Sequence, residues 1–229
     1  MKNYDKTKKQ SLRKNCMDVF NAFLVCLANF AGIYELPIIL PTYDKPNALI
    51  KFSKCLKSNN YNCWVHFYEY DYHFRRVWLH PRKYLPILKK YNGVILPDFS
   101  VYRDMPFVMQ IWNIYRSRAI GFWLQMNGIK VIPNLRFGDM RTYEICCDGI
   151  SKGCVIAFGT HGLMKNKIDR LIMVKGIISI INYLKPSCVV IYGSDDESIR
   201  LLCQQLNIEL LVFKDSYYQK ISIFGLEAK

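Results

Sequence analysis

Short, unbroken apolar runs alternate with longer amphipathic stretches from residue 93 onward. Gly93–Asp98, Ile129–Asn134, Cys154–Phe158, Cys188–Tyr192 and Ile208–Phe213 read as strands, each apolar at nearly every position, the pattern of strands buried on both faces. Between them lie helical stretches. Asp104-Met105-Pro106 opens one that runs to about Asn127, with Asp104 as its expected N-cap and Pro106 in the first turn. A short helix is expected from about Met140, with Asp139 as its cap. A long one covers Lys167 to Leu184 and stops before Pro186, and another runs from Ser194 to Gln205. The first half is less regular. Pro37–Leu40 and Cys63–Tyr70 read as strands and Pro46–Ser58 as a helix between them; Lys220–Phe224 brings the strand candidates to eight.

Strands alternating with helices predict an α/β protein with a mainly parallel sheet. The strand number favours a distorted or incomplete (β/α) barrel, with an open doubly wound sheet as the other arrangement. No Pro/Gly/Ser-rich linker divides the chain. We therefore expect a basic N-terminal arm over residues 1–16 and one α/β domain over 17–229. The apolar stretch Val19–Ala28 superficially resembles a signal peptide, but Asp18, Asn21 and Asn29 interrupt it. Phe20, Phe23, Leu24 and Leu27 fall at helical spacing, so a core helix is expected there and a cytoplasmic, non-membrane protein overall.

Charge changes the picture of partners rather than of fold. The 229 residues hold 32 Lys and Arg against 18 Asp and Glu, a net charge of +14. Such a chain favours a polyanion, nucleic acid first. Lys2, Lys6, Lys8, Lys9, Arg13 and Lys14 against Asp5 make the start a basic arm or a solubilising tail. Residues 72–92 carry Arg75, Arg76, Arg82, Lys83, Lys89 and Lys90 with no acid, interleaved with Tyr72, Phe74, Trp78, Tyr84 and Tyr91. Cations among stacking rings suit single-stranded nucleic acid; the alternative is a basic helix whose aromatics belong to the core. The nine cysteines have no C-x-x-C spacing, which fits buried thiols in a reducing compartment, Cys26, Cys154 and Cys188 among them, rather than disulfides or zinc.

In a parallel sheet the loops after the strands share one face, and that face holds the site. The polar residues there are Glu69, Asp71, Asp98, Ser100, Asn134, Arg136, Asp139, Thr160, His161 and Ser194. Asp98 is the expected acid/base group, with Asn134 and His161 positioning and Glu69 as a second carboxylate suited to glycosidic chemistry. Gln110, Asn113 and Ser117 form a stripe on the helix after Asp98, with Arg116 beside it. Amides and guanidinium suit phosphate or base edges, against the plainer reading of a solvated face. Ser194-Asp195-Asp196-Glu197 fits helix capping. No nucleotide-binding P-loop, dinucleotide fingerprint, zinc-protease or esterase motif occurs, no metal site is expected, and no cofactor is implied.

The run Gly93–Pro106 (GVILPDFSVYRDMP) resembles the signature of an uncharacterised domain family of bacteria, phages and mobile elements. So do Gln110–Arg118 (QIWNIYRSR), Val131–Asn134 (VIPN), Cys147–Ile150, Val190–Gly193 and Trp64–Phe67. The resemblance supplies no catalytic residues. It implies a phage or mobile-element setting, in which nucleic-acid transactions or interference with host proteins are common. Together these readings give the expectation of a protein acting on nucleic acid, hydrolysing a phosphodiester or glycosidic bond at the strand C-terminal rim. The alternative is a non-enzymatic binder of nucleic acid or of a host protein.

Overall fold

The computed structural model describes residue 18, residues 20–162 and 166–214, and the strand at 220–222. The expected basic arm lies outside these residues. Four parallel strands form one sheet in the order β3 (Leu49–Lys51), β4 (Trp64–His66), β5 (Gly93–Ile95) and β6 (Val131–Ile132). A second sheet has the order β10 (Lys220–Ser222), β9 (Glu209–Phe213), β8 (Cys188–Tyr192) and β7 (Val155–Gly159); only β10 runs antiparallel. Two short strands, β1 (Phe30–Ala31) and β2 (Leu36–Pro37), pair with each other outside both sheets.

The two sheets are joined where β6 runs on past Ile132. Ala157 N donates to Pro133 O and Leu135 N donates to Ala157 O, both at 2.9 Å, around a single parallel bridge between Asn134 and Ala157. Alternation along the strands then sorts side chains into two cores. Trp64, Ile95, Ile132, Ala157, Val190 and Leu211 meet in one apolar cluster shared by both sheets. Their neighbours Val65, Val94, Val131, Ile156, Ile191 and Val212 face the helices. The sheets therefore wrap a common interior, as the barrel expectation requires. The barrel does not close: among the described residues no ladder joins β3 to β9 or β10, and the Lys45–Glu209 ion pair ties the chain before β3 to the start of β9. Gly93 is part of this interior. A Cβ there would sit 2.6 Å from atoms of the Trp64 ring, so the tryptophan needs the glycine opposite it.

The helices are α1 (Phe52–Cys55), α2 (Asp71–Leu79), α3 (Pro81–Leu88), α4 (Phe107–Met126), α5 (Lys167–Leu184) and α6 (Glu197–Gln205). Local chemistry explains their ends. Asn166 Oδ1 accepts from the Ile168 and Asp169 amides at the start of α5. Asp196 Oδ1 caps α6 through Ser198 N at 3.0 Å. Its other oxygen accepts from Arg170, which ties α5 to α6. Asp139 caps a 3-10 turn, Met140–Thr142, in a reciprocal capping box with Thr142.

Several expectations are corrected. Pro46–Ser58 is not a helix but β3 followed by the single turn α1. The apolar run Pro37–Leu40 gives only the β2 pairing and one bridge from Ile39 to Ile150. The Cys63–Tyr70 strand is regular only over Trp64–His66, and α6 begins at Glu197 rather than Ser194. Asp104 does not cap α4; Pro106 stands at that position. The expected core helix near residues 19–28 reduces to a 3-10 turn, Ala22–Val25, because Asn21 takes a left-handed conformation at φ 52°. Phe20 and Leu27 are consequently exposed. Cys26 is exposed too, whereas Cys154 is buried as expected. Among the described residues no helix is long and apolar enough to cross a membrane.

Candidate functional site

The C-terminal ends of β4 to β8 converge on a buried polar network. Along β4 the period of two carries Trp64, His66 and Tyr68 to the inner side. The Tyr68 ring stacks on Tyr192 at the end of β8, with centroids 5.1 Å apart and planes 14° apart. His66 packs 4.3 Å from the same Tyr192 ring, and its Nδ1 accepts from Tyr68 N. Tyr68 Oη donates to Asn134 Oδ1 at 3.1 Å, and Asn134 Nδ2 donates to Asp98 Oδ1 at 2.8 Å. Arg136 completes the group. Its Nη1 lies 3.8 Å from Asp98 Oδ2 and donates to Gly159 O at 3.3 Å.

Electrostatics follow from this burial. Removal from water raises the Asp98 carboxyl above its usual value. The Arg136 charge and the Asn134 hydrogen bond pull it back down, and the Asp71 carboxylate pushes it up again. Burial likewise holds the Tyr68 phenol well above the tyrosine range, so it stays a donor. Gly159 makes room for the arrangement: a Cβ there would lie 2.6 Å from one atom of the Tyr68 ring and 3.3 Å from Asp98 Oδ2.

A single buried stripe on α4 positions the loop that carries Asp98. Ser117 Oγ donates to Pro97 O at 2.7 Å, Asn113 Nδ2 to Ser100 O, and Gln110 Nε2 to Met105 O at 3.0 Å. Arg116 donates to Asn113 Oδ1, and its guanidinium lies 3.9 Å from the Phe99 ring centre. Gln110, Asn113 and Ser117 are thus a scaffold under the loop, not a solvated face. Arg118 is fully buried and donates to Cys146 O; burial lowers its pKa to about 10. A water-sized cavity of about 10 Å³ lies among Arg118, Ser117, Asn134 and Arg136. Three guanidinium nitrogens, Arg116 Nε, Arg118 Nη1 and Arg136 Nε, have no hydrogen-bond partner there or nearby.

Of the expected residues, Asp98 and Asn134 are in direct contact. His161 is exposed at the rim, its ring 6.4 Å from that of Tyr192. Glu69 is turned elsewhere: its two oxygens accept from Ser53 N at 2.8 Å and Ser53 Oγ at 2.6 Å, capping α1. Asp71, not Glu69, is the carboxylate in Asp98's field, and it is held by Ser100 N and Oγ. In the basic segment, Trp78 is buried against Trp112. The Arg76 guanidinium covers Phe52, and Arg82 covers Phe23. Arg75 and Lys83 are exposed. The sequence reading missed His66, Tyr68 and Tyr192. The available signal was the inner-face alternation that continues from Trp64. Among the described residues no group of three His, Cys, Asp or Glu side chains could hold a metal ion.

The fold and this network define an α/β protein with its polar centre at the strand C-terminal rim. The chain belongs to the DUF4417 family, a domain of unknown function, which it matches over residues 28–210. It is similar to the "Gene 1 protein" of Mycobacterium phage D29, 32% identical over 167 residues, which is 71% of this chain and 62% of that protein. The "Gene 1 protein" of Mycobacterium phage L5 matches at 32% over 167 residues, 71% of this chain and 72% of that protein. The phage setting implied by the sequence motifs is thereby supported. No solved structure matches the chain.

Proposed function

We propose that the protein acts on nucleic acid and cleaves a glycosidic bond, with Asp98 as the acid/base group. The observation that carries this reading is the Asp98 carboxyl itself. It is desolvated, raised in pKa and wired through Asn134 to Tyr68, beside the Arg136 guanidinium. Burying a carboxyl with only a loosely held cation to offset its desolvation opposes folding, and such groups gather where chemistry needs them. A carboxyl that keeps its proton to higher pH can protonate a departing base while water adds to the sugar carbon that the base leaves, and Arg136 offers charge to an anionic group near it. A phosphodiester cut is the other reading, and the assay below separates the two. The net charge of +14 supports a polyanionic partner.

The test uses purified protein with mixed-sequence single- and double-stranded DNA and RNA. Strand breaks before and after alkali report phosphodiester and glycosidic cleavage, and gel retardation at low salt reports binding. The wild type should produce alkali-labile sites, and Asp98→Asn should abolish them while still retarding the strand. Retardation without cleavage by the wild type overturns catalysis and leaves a binding protein, a reading that the exposed Arg75 and Lys83 favour. Neither cleavage nor retardation overturns both.

A further inference from the structure

Beside the Asp98 network lies a cleft of about 340 Å³, inside the range of roughly 300–1,000 Å³ typical of small-ligand sites. It opens between the loop after β5, the loop after β6 and the first turns of α5. Its wall is chemically divided. Tyr102, Phe137 and Ile172 give apolar surface, and Tyr102 is half exposed. Arg103 and Arg136 give two cations, and Asp104 and Asp169 two carboxylates.

Both guanidiniums are loosely held. Arg103 Nε stands 3.4 Å from Asp169 Oδ1, and Arg136 Nη1 stands 3.8 Å from Asp98 Oδ2. Charge-assisted hydrogen bonds close to about 2.7–2.9 Å, so neither pair is made tight. Arg136 Nε is buried and has no partner at all. Its guanidinium therefore keeps hydrogen-bonding capacity that the protein itself does not use. Arg136 also borders both the cleft and Asp98, so whatever it grips is brought beside the carboxyl.

We propose that this cleft seats one phosphorylated nucleoside unit, with its phosphate on Arg136 and Arg103 and its base against Tyr102. The nucleic-acid reading above supplies the choice of nucleotide, but the proposal does not depend on catalysis. A doubly charged phosphate suits two separated guanidiniums, and a flat ring suits the tyrosine face. On binding, phosphate replaces Asp169 as the partner of Arg103. Asp104, exposed on the same loop, repels a longer run of phosphates and limits the cleft to one.

Calorimetric titration at low salt tests this with each ribo- and 2′-deoxyribonucleoside 5′-monophosphate, the parent nucleosides and inorganic phosphate. At least one monophosphate should bind saturably, and its nucleoside and inorganic phosphate should each bind at least tenfold more weakly. Arg103→Gln and, separately, Tyr102→Ala should each weaken the monophosphate about tenfold or more, with wild-type circular dichroism confirming that each is folded; both residues are exposed. The proposal is overturned if no monophosphate saturates, if nucleoside or phosphate alone binds as well, or if either variant binds like the wild type. Monophosphate binding with every oligonucleotide left intact keeps the cleft and removes the catalytic reading. Cleavage without monophosphate binding does the reverse.

Discussion

Gly159→Ala is the sharpest probe of the network, because one methyl group must enter space that Tyr68 occupies. The new Cβ would lie 2.6 Å from one atom of the Tyr68 ring, with a second ring atom still nearer, and 3.3 Å from Asp98 Oδ2. Ordinary contact needs about 1 Å more for the ring. Tyr68 cannot yield freely. Its ring is stacked on Tyr192, its hydroxyl is bonded to Asn134 and its backbone N–H to His66. Overpacking of this kind costs about 1–3 kcal/mol. At roughly 2–4 °C per kcal/mol for a chain of this size, the melting temperature should fall by about 2–12 °C in scanning calorimetry. The cause is isolated by repeating the substitution in a Tyr68→Val background. Valine has no atoms at the clashing positions, so the penalty should shrink by about 1–2 kcal/mol, a coupling within the range of touching residues. An equal cost in both backgrounds would show that Tyr68 does not fill the space against Gly159, and the geometry of the site would fall with it.

Asp98→Asn tests the raised carboxyl by pH. Folded Asp98 keeps its proton to higher pH than the unfolded chain does, so above the usual value of 3.8 the folded state binds more protons and wild-type stability falls as pH rises. The amide cannot ionise, so its melting temperature relative to wild type should rise between pH 4 and pH 7; a decline would mean that Arg136 dominates and the pKa is depressed. Ser117→Ala leaves the buried Pro97 carbonyl without its 2.7 Å donor and should lower stability by about 1–3 kcal/mol in urea unfolding. No change would mean that the α4 stripe does not hold the Asp98 loop. For the binding face, exposed Arg75→Ala should reduce the log–log salt slope of duplex DNA retardation by about 0.9. An unaltered slope excludes Arg75 from the interface.

The second half of the fold was legible because its strands are buried on both faces. Val155–Gly159 and Cys188–Tyr192 are buried at every position, and such runs need no alternation to be seen. β3 was not legible. It is three residues long, ends in Lys51 and has only Ile50 fully inside, while Leu49, Ile50, Phe52 and Leu56 mimic helical spacing. What makes it a strand is its pairing with Trp64–His66, a contact made fifteen residues away. The opposite error at Pro37–Leu40 has the same origin. That run is apolar enough for a strand, but Leu40 ends up exposed, and among the described residues the run pairs only with β1 and at Ile150, joining neither four-stranded sheet.

The site divides along a similar line. Asp98 and Asn134 could be found because a polar group ending an apolar run is conspicuous, and parallel topology sends all such ends to one rim. Tyr68 and Tyr192 could not, since an aromatic at the end of an apolar run reads as core, and in part it is core: both belong to the inner apolar cluster. Tyr68 joins the polar network through its hydroxyl, which donates to Asn134, and Tyr192 through its stacking on the Tyr68 ring. The α4 stripe shows the converse. Gln110, Asn113 and Ser117 were conspicuous as hydrogen-bonding groups, and they do bind a backbone, but it is the chain's own, at Met105, Ser100 and Pro97. Polar residues at helical spacing specify that something hydrogen-bonds there, not whether it is a ligand. Here the loop they hold is the one that presents Asp98, so this stripe and the carboxyl form one device. A substitution on α4 that frees Pro97 or Ser100 should therefore disturb the site without touching any residue in it.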